Sequence, residues 1–391
     1  MASTAALVPS VQSRPDVVPA AAPGTRLIAS DWRSLEAPEL RLAWDGLARR
    51  ASEPNPFFES WYLLPALRAF DPAGAVKILR FERDGVLAGL VPLHRASRYY
   101  GRLLPHWSVW LHGNAFLGAP LVEQGAEPGF WTALTKWLDR QGGTGLFLHL
   151  PHLPTNGPSC RALAGIAAAQ DRPLGLVYRE ERAMLASPLS PEAYLEASLS
   201  GKKRKELRRQ FNRLGELGEL MVERRRDDRD LSGWIDQFLA LEHSGWKGGA
   251  GSALASHQAT THLFREALHG AAARGRLERL TLRLDDAPIA MLASFITPPG
   301  AFSYKTAFDE RFARFSPGVL LQRENLSLLD DPQVDWCDSC AAADHPMIDH
   351  IWRERRAIGR YSLGLGGPVR RGLFRALLRL ERGEIVTGAE P

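Results

Sequence analysis

Two segments about 200 residues apart in this 391-residue chain carry the same layout. LRFERDGVLAGLVPL turns at Asp84 and Gly85, and LTLRLDDAPIAMLASF turns at Asp285 and Asp286. Each reads as an apolar strand, an acidic two-residue turn and a second apolar strand containing alanine. Strands are therefore expected over 76–83 and 86–94, and again over 277–284 and 288–297. Asp-Gly between such runs is a strong hairpin signal, because a two-residue turn that follows the strand twist needs positive φ at its centre. A spacing near 200 is too long for a solenoid repeat. Two copies of one α/β unit account for both the similarity and the length.

The sequence between the hairpins supplies helices and further strands. In NPFFESWYLLPALRAF, Asn55 is placed to cap a helix opening at Pro56. Residues 130–140 have helical periodicity, and 145–150 (GLFLHL) reads as a buried strand. In the second half, Ser190-Pro191 opens a helix that leads into a basic one with Leu207, Phe211 and Leu214 on one face. A strand over 220–225, helices over 231–243 and 257–273, and a strand over 302–308 follow. The expected organisation is a leader over 1–29, a first unit over 30–185, a second over 186–360, and a basic helix and tail over 361–391. Ala, Pro, Val and Ser dominate the start of the leader, which is expected to be disordered.

Composition excludes several classes. The chain is 45% hydrophobic and 24% charged, close to ordinary soluble proteins, and no apolar run reaches the length of a membrane span. Three cysteines are too few for a disulfide framework, which points to a cytoplasmic protein. The net charge of +5 comes from residues 202–213 (KKRKELRRQFNR), which carry seven basic residues against one acid. That helix reads as a solvated face, as a contact for donor or carrier phosphates, or as a nucleic-acid surface. No helix-turn-helix, RNP or zinc-finger pattern accompanies it, so nucleic-acid reading is not expected to be the main task. Arginine outnumbers lysine 42 to 7, which makes Lys247 in GWKGG and Lys305 in SYKTAFD candidates for a compact ammonium group.

YKTAFDERFARFSPGVLLQREN is the most informative stretch. A strand ends near Phe308, and Ser316-Pro317-Gly318 opens a helix whose free N–H groups suit the phosphates of a coenzyme, or simply cap the helix. Together with NPFF, SGKKRKELRR, LEHSGWKGGAGSAL, GRLERLTLRLDDAPIAMLASF and CAAADHPMIDHIWRERR, this stretch resembles acyltransferases of the GNAT superfamily of the cellulose-biosynthesis CelD type, related to Fem-type peptidyltransferases. The resemblance runs over roughly residues 30–360. It implies tandem duplicated GNAT-like units, each a mixed central sheet flanked by helices, with the donor site in the second. It also implies an acyltransferase that uses acetyl-CoA or a longer acyl-CoA on a small molecule or an envelope or polysaccharide precursor. The usual coenzyme loop has more glycine than Arg314 to Gly318 supply. A longer thioester or an aminoacyl-tRNA donor therefore stays open, as does a non-catalytic scaffold.

In the mechanism that this resemblance implies, a base takes the acceptor's proton. Candidates are Asp309, Glu242, His243 and Asp335, with Lys305 facing the acceptor. Asp309 sits between strand and helix and is the first choice; its other reading is an ion pair with Arg311 or Arg314. The donor is expected to lie against Ser316, Pro317, Gly318, Tyr304, Trp246 and Lys247, with both lysines toward phosphates. Cys337, Cys340, His345 and His350 have zinc-knuckle spacing, but the knuckle glycine is missing and Pro346 follows the first histidine, so no metal is expected. The C-terminal stretch PVRRGLFRALLRLER aligns Val369, Leu373, Leu377 and Leu380 on one side. It is expected either to pack on the core or to attach to an anionic membrane surface.

Overall fold

The computed structural model describes residues 24–386. The first unit runs β1 (Thr25–Asp31), α1 (Pro38–Arg50), α2 (Ser60–Phe70), β2 (Lys77–Arg83), β3 (Val86–Tyr99) and β4 (Arg102–Val109). It continues with β5 (Leu121–Val122), α3 (Glu127–Gln141), β6 (Phe147–Pro154), α4 (Pro158–Ala169) and β7 (Leu174–Leu185). Helices α5 (Pro191–Ser198) and α6 (Gly201–Gly215) open the second half, followed by β8 (Leu220–Arg225), α7 (Leu231–Ser244), α8 (Trp246–Gly249) and α9 (Gln258–Ala272). Then come β9 (Leu277–Leu284), β10 (Ala287–Thr297), β11 (Gly300–Phe308), α10 (Pro317–Asn325), β12 (Trp336–Asp338), β13 (Glu354–Gly364) and α11 (Pro368–Val386). Met1 to Pro23, which make up most of the expected leader, lie outside the described residues, and the boundary drawn at 29 falls inside β1.

Both repeat hairpins form. Asp84 and Gly85 take φ of 52° and 78°, and Asp285 takes 51° at the equivalent position. One mixed sheet of 13 strands contains both units, in the order β1-β2-β3-β4-β6-β13-β7-β12-β11-β10-β9-β8, with β5 added beside β3. Read from either edge, four antiparallel strands are followed by a parallel neighbour: β4 with β6 at one end, β11 with β12 at the other. The layout is thus duplicated, as expected. What the sequence did not disclose is the exchange at the centre. The last strand of each unit is inserted into the other, β13 beside β6 and β7 beside β12, and the two pair with each other from Glu354↔Met184 to Leu363↔Leu174. Neither half completes its own sheet.

The core ignores the boundary too. One apolar cluster extends from Trp32 to Leu365, and α2 packs on α9 across the halves, where Gly270 leaves room for Trp61. Between β6 and β7 the first unit has α4, whereas residues 339–353 between β12 and β13 form turns.

Candidate active site

A cavity of about 600 Å³ opens where β11 and β12 separate. These strands pair for three residues only, Gly300↔Trp336 to Phe302↔Asp338. Just beyond, β11 carries an extra residue: Ser294 faces Ser303 and Ala293 faces Lys305, so Tyr304 is the bulge. Bulges bend a strand and re-aim its side chains, and they recur beside active sites. Here Tyr304 and Lys305 line the cavity, with Glu242, Trp246 and Lys247 on the opposite wall and Cys340, His345 and Met347 from the turn segment 339–353.

Phe116 is the first unit's contribution. Asn55, the NPFF cap, accepts from Phe57 N and donates through Nδ2 to the carbonyls of Leu117 and Ala119 at 3.2 and 2.7 Å. Arg182 Nη1 holds the Phe116 carbonyl at 2.8 Å. The loop bearing Phe116 is pinned at both sides, and Phe57 packs under it against Phe302 and Tyr304. The NPFF motif therefore joins the halves beneath the cavity.

Electrostatics sort the cavity's charges. Glu242 is buried; its Oε1 accepts from Lys247 Nζ at 2.9 Å and its Oε2 from Leu254 N at 2.8 Å. Both oxygens are occupied, and Lys247, expected toward a phosphate, is paired with Glu242. Lys305 has no ion-pair or hydrogen-bond partner among the described residues; its ammonium sits 5.1 and 5.6 Å from the rings of Phe116 and Tyr304. Burial, then repulsion from Lys247, bring its pKa down to about 8. An amine so tuned is partly neutral near physiological pH. Tyr304 OH meets Tyr62 OH at 3.1 Å, and Tyr62 in turn donates to the carbonyl of Asn114, so the Tyr304 proton is directed away from the cavity.

Other expected residues lie elsewhere. Asp309 does not line the cavity: it caps the turn after β11 and accepts from Arg311 N and side chain at 2.6–3.1 Å, contacts that hold its carboxyl below the ordinary range. The ion-pair reading describes it. His243 and Asp335 are exposed and outside the lining. Ser316 precedes α10, but with φ of 54° its hydroxyl makes no cap bond, because the residue also ends the preceding 3-10 turn. Its carbonyl instead accepts from Val319 N and Leu320 N. A Cβ on Gly318 would come within 2.7 Å of Met347 Sδ and 3.3 Å of Phe308, so the start of α10, Pro317 included, lies behind the cavity wall. Trp246 is 63% exposed at the rim.

A smaller groove of about 170 Å³ adjoins the cavity across Pro346 and Met347, lined by Lys203 of α6, Val319 of α10 and His350. The zinc-like set is thereby divided. Cys337 contacts Ser303, Cys340 and His345 line the cavity, and His350 lines the groove. Among the described residues, no group of three or more His, Cys, Asp or Glu is placed to hold a metal ion. Sequence reasoning missed Phe116, Glu310 and Met347, and weighed Cys340 and His345 only as metal ligands. Glu310, whose carboxylate accepts from Trp246 N at 2.7 Å, was adjacent to a chosen residue; Phe116 had no sequence signal.

Residues 201–346 match the family model described as an acetyltransferase (GNAT) domain. Comparison with curated proteins gives no match in sequence. Among solved structures, the chain is similar to FemX at 9% identity and a TM-score of 0.55, covering 86% of this chain and 98% of that one. It is also similar to the C-terminal domain of a putative lysylphosphatidylglycerol synthetase from Agrobacterium fabrum (12%, TM-score 0.52, covering 89% and 97%). A protein of unknown function from Bacteroides thetaiotaomicron gives 10% and 0.51, covering 83% and 97%. At such identities the likeness is one of fold. The stretch from the basic helix to the cavity wall thus matches a GNAT acetyltransferase domain, and the two-unit fold that contains it is similar to the fold of FemX.

Proposed function

We propose that this protein is an acyltransferase that moves an acyl group from an acyl-CoA-type thioester to an amine or hydroxyl of a small molecule or an envelope or polysaccharide precursor, with the CelD-type role as one setting. The observation that carries the reading is Lys305: an unpaired amine with its pKa brought down to about 8, on the bulged strand of a GNAT-type cleft. The donor carbonyl would lie in the cavity, and its phosphate-bearing part would follow the adjoining groove toward Lys203 and α6. As the acceptor's nitrogen or oxygen attacks the carbonyl, Lys305 Nζ in its neutral form accepts the proton released. The carbon–sulfur bond then breaks, and the Lys305 ammonium returns the proton to the departing thiolate. Glu242 acts on this step by neutralising Lys247, which keeps Lys305 from falling further.

The test is thiol release from a panel of acyl-CoAs, from acetyl upward, in the presence of amine and alcohol acceptors. Release that depends on acceptor and on Lys305 supports the proposal; no release with any donor removes it, in favour of a scaffold where tRNA binding is also lacking. A second reading is a Fem-type ligase using aminoacyl-tRNA, favoured by the basic α6 bordering the groove. Tight, salt-sensitive tRNA binding together with no thiol release would support it.

A further inference from the structure

Helix α11 is amphipathic in the opposite sense from a packing helix. Val369, Leu373 and Leu380 are 87%, 53% and 65% exposed, at the spacing that aligns them along one face. Among the described side chains, the face turned to the protein buries Phe374 and Leu378, against Phe147 and Val177. Arginines supply the rest of the attachment. Arg370 donates to the Gly145 carbonyl, Arg371 to those of Gly366 and Gln170 at 2.7 Å each, and Arg375 pairs with Asp171 at 3.2 Å. Near the other end, Tyr99 OH donates to Glu381 at 2.7 Å. Rolling the helix to bury its leucines would break all of these contacts, so the stripe is held outward. Of the two readings of this helix, packing on the core holds for the helix as a whole, but through Phe374 and Leu378 and not through the Val369, Leu373 and Leu380 side.

We propose that this stripe is the surface by which the protein lies on an anionic lipid bilayer. An exposed apolar stripe on a fixed helix marks an interaction site. Charge selects the occupant. Five arginines against two glutamates give α11 a net positive charge, and Arg379, beside the stripe, has no ion-pair partner among the described residues. Two copies meeting through the stripe would bring like charges together, whereas acidic headgroups complement them. The shape agrees as well. From Val369 to Leu380 the stripe spans about 17 Å at the helical rise of about 1.5 Å per residue. No helix among the described residues is long and apolar enough to cross a membrane, so α11 would lie in the plane of the headgroups with exposed Arg379 meeting their charge.

The experiment is co-sedimentation of the full chain with phosphatidylcholine vesicles and with vesicles of mixed phosphatidylcholine and phosphatidylglycerol. The expected result is partition about tenfold stronger to the anionic vesicles and weakened by salt. Leu373→Glu with Leu380→Glu should remove most of it, with unchanged thermal stability and unchanged acyl transfer to a soluble acceptor. Should that pair fail to fold, Leu373→Gln with Leu380→Gln makes the same test. Equal partition to both vesicle types, or unaltered partition of the variants, overturns the proposal. So does light scattering that finds a dimer abolished by the same variants, which would make the stripe a contact between copies.

Discussion

Arg182 Nη2 and Asp338 Oδ2 meet at 2.7 Å, although Arg182 lies on the last strand of the first unit and Asp338 on a strand of the second. Arg356, on the exchanged strand β13, reaches the same oxygen at 2.8 Å. Asp338 Oδ1 accepts from Cys340 N at 2.9 Å, so this one buried carboxylate ties the strand exchange to the cavity wall.

Removing the Asp338 charge leaves two arginines without their partner at the centre of the sheet. Breaking a buried pair costs on the order of 3–5 kcal/mol, so Asp338→Asn should lower the denaturant midpoint strongly; an unchanged midpoint would show that the triad is dispensable. Burial raises this carboxyl's pKa, but Arg182 and Arg356 outweigh it and the net shift is downward. Its contribution is therefore present above the unfolded carboxyl's pKa and is lost as pH falls through the lower folded value.

The exchange predicts that the halves are not independent. Residues 186–391 expressed alone lack β7, leaving β12 without its antiparallel neighbour and β13 without both of its partners. They should be insoluble or melt without cooperativity, and co-expression with 1–185 should restore a folded complex. A cooperative melt of 186–391 alone would contradict this.

Lys305→Arg retains positive charge but supplies no base near neutral pH. General base catalysis contributes about 10²–10⁴-fold, so the transfer rate should fall by that order in both Lys305→Arg and Lys305→Ala while thermal stability changes little. Activity within a few-fold of the parent would exclude the proton-acceptor role.

Neighbouring charges give that role a signed pH test. With a Lys305 pKa of about 8, transfer to an alcohol acceptor should rise with pH and level off above that value. Glu242 favours the ammonium form and Lys247 opposes it. Glu242→Gln should thus move the rise to lower pH, and Lys247→Ala should move it to higher pH. Shifts of the opposite sign, or none, would separate the pH profile from Lys305.

Asp309 offers the contrasting case. Asp309→Ala removes a turn cap and the Arg311 contacts, which should cost about 1 kcal/mol of stability and leave the transfer rate within about twofold. A loss of rate without a loss of stability would return it to the catalytic machinery.

Local chemistry is what made parts of this protein legible. The hairpins were readable because Asp-Gly and Asp-Asp select a turn by φ, and strand β8 because its residues carry the pattern on their own. Lys305, Tyr304, Trp246, Lys247 and Glu242 were readable because two short motifs carry them. Strands β4, β7 and β13 were not anticipated. Arg179, Glu180, Glu181 and Arg182 interrupt the apolar pattern of β7; Arg179 pairs with Glu181 two residues on, but Arg182 is met by Asp338, distant in sequence.

By itself, the amino-acid sequence determined the two-unit plan and the residue types offered to the site, since turn geometry and strand periodicity act within a few neighbours. Which oxygen each cation meets was decided only in three dimensions. Glu242 takes Lys247, Asp309 takes Arg311, and Lys305 is left with aromatic faces and a lowered pKa. The outward stripe of α11 and the crossing of β7 and β13 belong to the same class. Each depends on which surfaces remain unsatisfied after the rest of the chain has packed, and no local pattern encodes that remainder.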